Sequence, residues 1–281
     1  MKRFQCKLCG MSFAHPVPEE GSLERYNCSY FANAHGGQAR GAYSRAFFRA
    51  IARLRAAHLA KYLSAHGVTP STLLELGPGL GYFASAWLEM HPNTRYMAVE
   101  TDTTCHDSLR TMGVQVIDYS VLSEVDFQID LVFMSHVLEH VHNPISFLKG
   151  YTRTLRTGGA LFIEVPCLDW QHKAIDEPHL LFFDKAPLHR LLASLGFEHI
   201  QLSYHGQTIT QLRKRPRWES RLMAIRSNLI ALGLTRPFAG VRPGLEALAD
   251  PFERAAVAPF MAHRETQEPA WWLRAFAIKS L

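Results

Sequence analysis

Residues 71–166 alternate between short apolar runs and helical segments, and this rhythm limits the fold more than any other feature of the sequence. The apolar runs include STLLEL, TRYMAV, IDLVFM and ALFIEVP, and the segments between them carry apolar residues at helical spacing. Strands that are apolar throughout are typical of a parallel sheet that helices cover on both faces. The pattern therefore predicts a doubly wound α/β fold, to which APLHRLLASLGFEHIQLSY adds one more helix and one more strand.

Three glycines follow the first of these strands in the segment ELGPGLG. Gly77, Gly79 and Gly81 stand where the strand turns into a helix, at the sheet edge where open α/β folds bind ligands. There a backbone without side chains can approach a ligand closely. Glu100 closes the next strand and can accept hydrogen bonds from both hydroxyls of a ribose. These residues predict a nucleoside-containing ligand, and an NAD-linked oxidoreductase would show similar spacing.

An acidic residue and two further segments favour a different cofactor. Glu75 stands two positions before Gly77, where it would repel a pyrophosphate and attract an ammonium group. With SHVLEHV at residues 135–141 and GGALFIEVP at residues 158–166, the chain resembles a class I S-adenosylmethionine-dependent methyltransferase of the branch with small-molecule substrates. The resemblance covers roughly residues 68–205 and the final strand. It implies a seven-stranded sheet whose last strand, AWWLRAFAIKS, is antiparallel and pairs with FEHIQLSY.

The same resemblance implies a role for individual residues. The cofactor-binding residues would be Glu75 with Gly77, Gly79 and Gly81 at the methionine part, Glu100 at the ribose, Asp118 with Tyr119 at the adenine, and Ser135 beneath the sulfonium. Because a sulfonium methyl is already electrophilic, catalysis is mainly in-line positioning, with a base only where the acceptor must lose a proton. His136 and His179 are the predicted catalytic histidines, whereas His140 and His142, placed on a helix after the fourth strand, are expected to be structural.

The chain divides into four predicted parts. They are a cysteine-containing appendage at residues 1–37, the cofactor-binding core at 38–205, a helical insertion that caps the substrate at 206–268, and the final strand of the core at 269–281. Residues 38–63 contain no acidic residue and predict an amphipathic helix that covers the sheet. Its arginines, Arg53 and Arg55 among them, are expected to lie in water.

The appendage has cysteines at the spacing of a zinc knuckle. Cys6 and Cys9 form a C-x-x-C pair, but the second pair of a zinc ribbon is missing, so Cys28 with His15 or His35 would have to complete the site. The sequence predicts zinc at Cys6, Cys9 and Cys28, with a degenerate module of free thiols as the alternative.

The charge of the chain does not by itself determine its binding partners. The formal net charge is +5, and RKRPRWESR at residues 213–221 could contact nucleic acid phosphates, which keeps a nucleic-acid-directed methyltransferase as an alternative. No Asn/Asp-Pro-Pro-Tyr/Phe signature of base methylation follows the fourth strand, so a small-molecule acceptor, a sugar or a secondary metabolite, is favoured. The sequence predicts a cytoplasmic enzyme with no membrane contact, and leaves open whether it forms a homo-oligomer.

Overall fold

The structure is a computed structural model that describes residues 1–30, 42–123, 128–173, 179–214 and 265–280, with the single positions 218, 221 and 225. Most of the predicted insertion at residues 206–268 lies outside these ranges, as does His35. Among the described residues, none of the helices combines the length and the hydropathy of a membrane span.

The strands and helices alternate over the core as the sequence predicts. The strands are β1 (Lys2–Gln5), β2 (Ser12–His15), β3 (Thr72–Leu76), β4 (Arg95–Val99), β5 (Gln115–Val116), β6 (Ile129–Ser135), β7 (Leu155–Pro166), β8 (Leu181–Phe182), β9 (Phe197–Thr208), β10 (Glu265–Thr266) and β11 (Ala270–Lys279). The α-helices are α1 (Glu20–Cys28), α2 (Ala42–Ala65), α3 (Tyr82–Met90), α4 (His106–Thr111), α5 (Pro144–Thr152), α6 (Lys185–Ser194) and α7 (Ile209–Arg213).

An eight-stranded sheet in the order β10-β9-β11-β7-β6-β3-β4-β5 forms the centre of the fold. The strands from β7 to β5 are parallel, whereas β11 is antiparallel to both β7 and β9. The prediction of an α/β sheet whose last strand is antiparallel is therefore confirmed. The eighth strand, β10, pairs with β9 through only two residues at the edge, which is too short for a sequence pattern to show.

Each face of the sheet is covered by its own helices. Phe133 of β6 packs with residues of α2, α3 and α4, such as Leu59 and Trp87. The preceding residue, Val132, belongs to the cluster on the opposite face, which includes Leu148 of α5 and residues of α6. Because neighbouring side chains of a strand point to opposite faces, this division shows that β6 is buried on both sides. The helices thus fix the strand ends, where the candidate site lies.

The N-terminal hairpin is joined to the segment that follows β7. β1 and β2 form a three-stranded sheet with β8, in which Ser12 lies opposite Phe182. The amide of Ala14 also donates to the carbonyl of Leu180 at 2.8 Å. Residues 1–15 therefore hold the stretch around residue 180 against the core. The proposed domain boundaries at residues 37, 205 and 268 stay predictions.

The segment after β6 differs from the predicted helix. A short 3₁₀-helix spans Leu138–His140, and α5 begins only at Pro144, beyond His142. The Oδ1 of Asn143 accepts a hydrogen bond from the amide of Ser146 at 3.1 Å, so Asn143 caps α5 and proline takes the first helical position. His140 consequently lies in a tight turn at the sheet edge, not on a regular helix.

Candidate active site

The glycine loop after β3 adopts a left-handed backbone conformation that residues with a side chain rarely adopt. Gly77, Gly79 and Gly81 have φ angles of 65°, 56° and 76°. A Cβ atom added to Gly77 would lie only 2.7 Å from the Cγ2 of Val137. Both the left-handed backbone and the close approach thus require glycine at position 77.

Glu100 reaches from the end of β4 to this loop. Its Oε2 accepts a hydrogen bond from the amide of Gly79 at 2.7 Å, and its Oε1 accepts one from the amide of Asp102 at 2.8 Å. Burial raises the pKa of Glu100, and the two amide hydrogen bonds partly offset that effect. The carboxylate therefore lies beside the glycine loop, with its oxygens on the backbone amides.

Glu75 lies beneath the same loop and is buried. Its Oε2 accepts a hydrogen bond of 2.5 Å from the hydroxyl of Tyr96, which stands on the neighbouring strand β4. Burial raises the pKa of Glu75 to about 8, although Tyr96 and the more distant Arg55 act in the opposite direction. A cation placed beside Glu75 would favour its ionised form, so the site is suited to an ammonium group.

Two cavities meet at the glycine loop. The larger, of about 280 Å³, is lined by the loop and by the ends of β4 and β6, with Asn27, Tyr30, His140, Phe147 and Tyr151 around it. The smaller, of about 160 Å³, is lined by Arg55, Glu75 and Trp272 among others. Gly77, Pro78, Ser135 and His136 line both. These shared residues mark the point at which the two cavities adjoin.

His136 stands at this junction in a strained backbone conformation. Its φ angle is 58°, which is unusual for a residue with a side chain. The indole Nε1 of Trp272 donates to Nε2 of His136 at 3.1 Å, so the neutral ring carries its proton on Nδ1, 3.3 Å from the Oε1 of Glu139. The side chain is 38% exposed. Ser135 and His136 both line the two cavities, and their roles toward the cofactor and the acceptor stay predictions.

The structure shows a buried ion network behind Ser135 that the sequence did not predict. Glu164 of β7 accepts hydrogen bonds from the Nε of Arg55 at 2.8 Å and from the Nε of Arg274 at 2.6 Å. The hydroxyl of Ser135 also donates to it at 3.2 Å. Burial disfavours the charge, but the two arginines outweigh it and hold the pKa of Glu164 well below its ordinary value.

The helix arginines therefore differ from the expectation that all of them lie in water. The Arg53 side chain is 54% exposed and pairs with Glu89, whereas that of Arg55 is only 12% exposed. The expectation is wrong for Arg55, because its place on α2 points it at the buried Glu164. A lone glutamate in the apolar run of β7 was the available signal, since a buried carboxylate needs a cationic partner.

The two residues predicted at the adenine lie beside the cavity, outside its lining. Asp118 is exposed, and its Oδ1 accepts hydrogen bonds from the amide and hydroxyl of Ser120 at 2.8 and 2.7 Å. Tyr119 packs against Tyr151, with ring centroids 4.8 Å apart, and Tyr151 does line the cavity. Their contact with an adenine stays a prediction.

His179 is buried and is not part of either cavity lining. Its Nδ1 lies 2.6 Å from the Oδ2 of Asp169, and its ring meets that of His140 edge-on at 4.8 Å. Burial would lower its pKa, but the contacts with Asp169 and Glu139 outweigh burial and raise it. His179 thus lies behind His140 and outside the cavity surface, and its catalytic role stays a prediction.

The predicted zinc site is not assembled in the structure. Cys6 and Cys9 lie in the hairpin turn, where backbone hydrogen bonds from Cys9 and Leu8 lower the pKa of Cys6. Among the described residues, however, Cys6, Cys9, Cys28 and His15 form no group of three ligand atoms within 4.8 Å of one another. The ligand set Cys6, Cys9 and Cys28 therefore stays a prediction, and His35, a possible further ligand, lies outside the described residues.

Comparison with known families decides which cofactor the site serves. A family model described as "Methyltransferase domain" matches residues 47–202, which is more than half of the chain. The chain belongs to the methyltransferase domain family. This membership confirms the resemblance to class I S-adenosylmethionine-dependent methyltransferases and decides against the NAD-linked oxidoreductase. Comparison with curated proteins gives no match.

Solved methyltransferase structures share the fold at low sequence identity. A methyltransferase from Thermotoga maritima, described as a possible histamine N-methyltransferase, is 14% identical with a TM-score of 0.53, covering 92% of this chain and 100% of its own. The plantazolicin methyltransferase BamL is 12% identical with a TM-score of 0.54, covering 92% and 97%. A methyltransferase from Archaeoglobus fulgidus is 15% identical with a TM-score of 0.50, covering 81% and 94%.

Proposed function

We propose that this methyltransferase transfers the methyl group of S-adenosylmethionine to an oxygen, nitrogen or carbon nucleophile of a small molecule, such as a sugar or a secondary metabolite. One observation carries the proposal: the two adjoining cavities, of about 280 and 160 Å³, share the glycine loop and His136. Cavities of this size suit a cofactor and the reacting part of a small acceptor. The bound cofactor supplies an electrophilic methyl group, so the protein has mainly to position the acceptor.

The residues of the cavities fit the cofactor chemically. Glu100 lies at the wall of the larger cavity, where a ribose could replace the backbone amides as its hydrogen-bond partner. Glu75 and Arg55 both line the smaller cavity and suit the ammonium and carboxylate groups of a methionine moiety. Gly77, with its left-handed backbone, lines both cavities. We therefore assign the adenosine to the Glu100 side of the larger cavity and the methionine part to the smaller cavity. The side of the larger cavity at His136 and His140 is then left for the acceptor.

His136 is the proposed catalytic residue, since it lines both cavities. A proton taken from the acceptor would go to its Nε2, which would then give up the hydrogen bond from Trp272. His179 is not proposed as a base, because it is buried behind His140. Ser135 is proposed to stand beneath the sulfonium, held by its hydrogen bond to Glu164.

The fold alone does not identify the acceptor, because proteins with this fold methylate different compounds. Its structural neighbours include a possible histamine N-methyltransferase and a plantazolicin methyltransferase, whose names indicate chemically different substrates. We propose that residues 206–268 complete the acceptor pocket. The basic segment 213–221, most of which lies outside the described residues, is proposed to face solvent and not a nucleic acid.

A transfer assay with a glycine variant tests the proposed function. Full-length protein incubated with methyl-labelled cofactor should label members of a panel of sugars, amines and phenols, and leave DNA and RNA unlabelled. Gly77→Ala should lower this transfer by about 10²-fold, since misplacing bound groups by an ångström has effects of that size. The matched control is Gly67→Ala, because Gly67 has the same φ of 65° but nothing within 4 Å of an added Cβ.

The two glycine variants separate backbone strain from obstruction of the site. Equal losses in both would mean that strain alone is responsible and would contradict the role given to the loop. Labelled nucleic acid with an unlabelled panel would contradict the small-molecule acceptor.

A further inference from the structure

Three potential metal ligands converge at the wall of the larger cavity. One ligand atom each from Glu139, His140 and His179 lies within 4.8 Å of the other two. No other such group of three occurs among the described residues. His140 also lines the cavity, so the cluster lies directly behind the surface that an acceptor would touch.

Glu139 is a buried carboxylate whose neighbours within ion-pair distance are histidines. The residue is 1% exposed, and neither of its carboxylate oxygens has a hydrogen bond within the described structure. Its nearest basic neighbours are Nδ1 of His136 at 3.3 Å and Nε2 of His140 at 3.8 Å, neither in hydrogen-bond geometry. A buried carboxylate in this condition is costly unless a cation or a donor compensates it.

Asp169 orients His179 in the manner found at metal centres. Its Oδ2 lies 2.6 Å from Nδ1 of His179, so Nε2 is the ring nitrogen that would bind a metal. Histidines that bind metals commonly donate their other ring N–H to a carboxylate in this way. Backbone hydrogen bonds connect the N-terminal hairpin to this cluster. The amide of Ala14 donates to the carbonyl of Leu180, and the amide of Leu180 donates to the carbonyl of Glu139 at 2.7 Å.

We propose that Glu139, His140 and His179 bind a divalent first-row cation, best suited to Zn²⁺, with Asp169 as the residue that orients His179. Two imidazoles and one carboxylate are a common ligand set for such ions, and three protein ligands leave a position for a further ligand. If the proposed function is right, that position could take a hydroxyl or amine of the acceptor and make its proton easier to remove. Metal binding itself does not depend on that function.

Titration with cobalt tests the site without any activity measurement. Tag-free full-length protein is stripped with a chelator and titrated with Co²⁺, and then with Zn²⁺ as a competitor. We expect about one equivalent to bind, with d–d absorption bands and no thiolate-to-cobalt charge-transfer band. Glu139→Gln and His179→Ala should abolish binding, and Asp169→Asn should weaken it about 10–100-fold.

Two control variants separate this site from other ligands. His142→Ala removes an exposed histidine of the same segment, and Cys6→Ser with Cys9→Ser removes the knuckle; both should keep full metal binding. S-adenosylhomocysteine binding, measured on every sample, checks folding and is independent of the metal. Wild-type protein that binds cofactor but no Co²⁺ or Zn²⁺ would overturn the proposal. So would thiolate charge-transfer bands, or full binding by a folded Glu139→Gln variant.

Discussion

Replacing His136 with asparagine is expected to lower turnover about 10²–10⁴-fold, the usual contribution of a positioned base. The affinity for S-adenosylmethionine should stay nearly unchanged, because Glu100 and the glycine loop are left intact. Asparagine tolerates the left-handed backbone that His136 adopts, with its φ of 58°, so this variant removes the imidazole with little added strain. Single-turnover rates at saturating acceptor, with cofactor affinity from calorimetry, provide the measurement.

Two further variants serve as controls for the His136→Asn measurement. His136→Ala should give the same loss of turnover, with some loss of stability because the indole of Trp272 loses its acceptor. His142→Ala, an exposed neighbour, should have no effect. Full turnover in His136→Asn would exclude His136 as the base and leave positioning as the whole mechanism. A loss of cofactor affinity without a loss of turnover would make His136 part of the cofactor site instead.

Replacing Glu164 with glutamine is expected to destabilise the protein by about 3–5 kcal/mol, the usual result of removing one partner from a buried ion pair. Glu164 and Arg274 are both 0% exposed, so the change leaves a buried guanidinium without its counter-ion. Arg55 loses the same counter-ion, and the hydroxyl of Ser135 loses a charged acceptor. Urea denaturation monitored by tryptophan fluorescence measures the change in the free energy of unfolding.

The matched control is an exposed ion pair between α2 and the neighbouring helix α3. Arg53, one half-turn from Arg55 on α2, pairs with Glu89, and both side chains are more than half exposed. Glu89→Gln should change stability by less than about 1 kcal/mol, because solvent screens such pairs. Similar small effects of both substitutions would contradict the structural importance given to the Glu164 network.

The sequence predicted the sheet because its signals are local. Apolar runs separated by helical segments are sufficient to indicate parallel strands, and the glycines mark the turn after β3 without any knowledge of the tertiary structure. β10 and β8, each of two residues, could not be predicted, since such short strands have no periodicity and form only where a partner edge is available. The pairing of β8 with the N-terminal hairpin joins segments far apart in sequence and has the same cause.

The candidate site was predictable only where one segment carries the function. Gly79 and Glu100 were both predicted from their places after strand ends, and the structure joins them by a hydrogen bond. The cluster of Glu139, His140 and His179 combines two distant segments, so its members looked like separate histidines in the sequence. Conversely, the C-x-x-C pair is a strong local pattern, but metal binding needs further ligands in space, and the fold does not bring Cys28 to them.

Calorimetry with a deoxyribose analogue tests most directly the claim that Glu100 holds the ribose of the cofactor. Wild-type protein should bind S-adenosylmethionine and S-adenosylhomocysteine and should not bind NAD. Glu100→Ala should weaken both adenosyl compounds equally, by roughly 1.5–3 kcal/mol, the contribution of a hydrogen bond to a charged group. The equal loss is expected because the two compounds share the ribose and differ only at sulfur.

The analogue distinguishes direct contact from distortion of the loop, since Glu100 also binds the amide of Gly79. The 2′-deoxy form of S-adenosylhomocysteine should bind wild type more weakly than the parent compound. In Glu100→Ala the removal of the hydroxyl should make no further difference, as expected when the two changes remove one interaction. Undiminished binding of S-adenosylhomocysteine by Glu100→Ala, or an unchanged penalty for the missing hydroxyl, would contradict the assignment of the cofactor to this site.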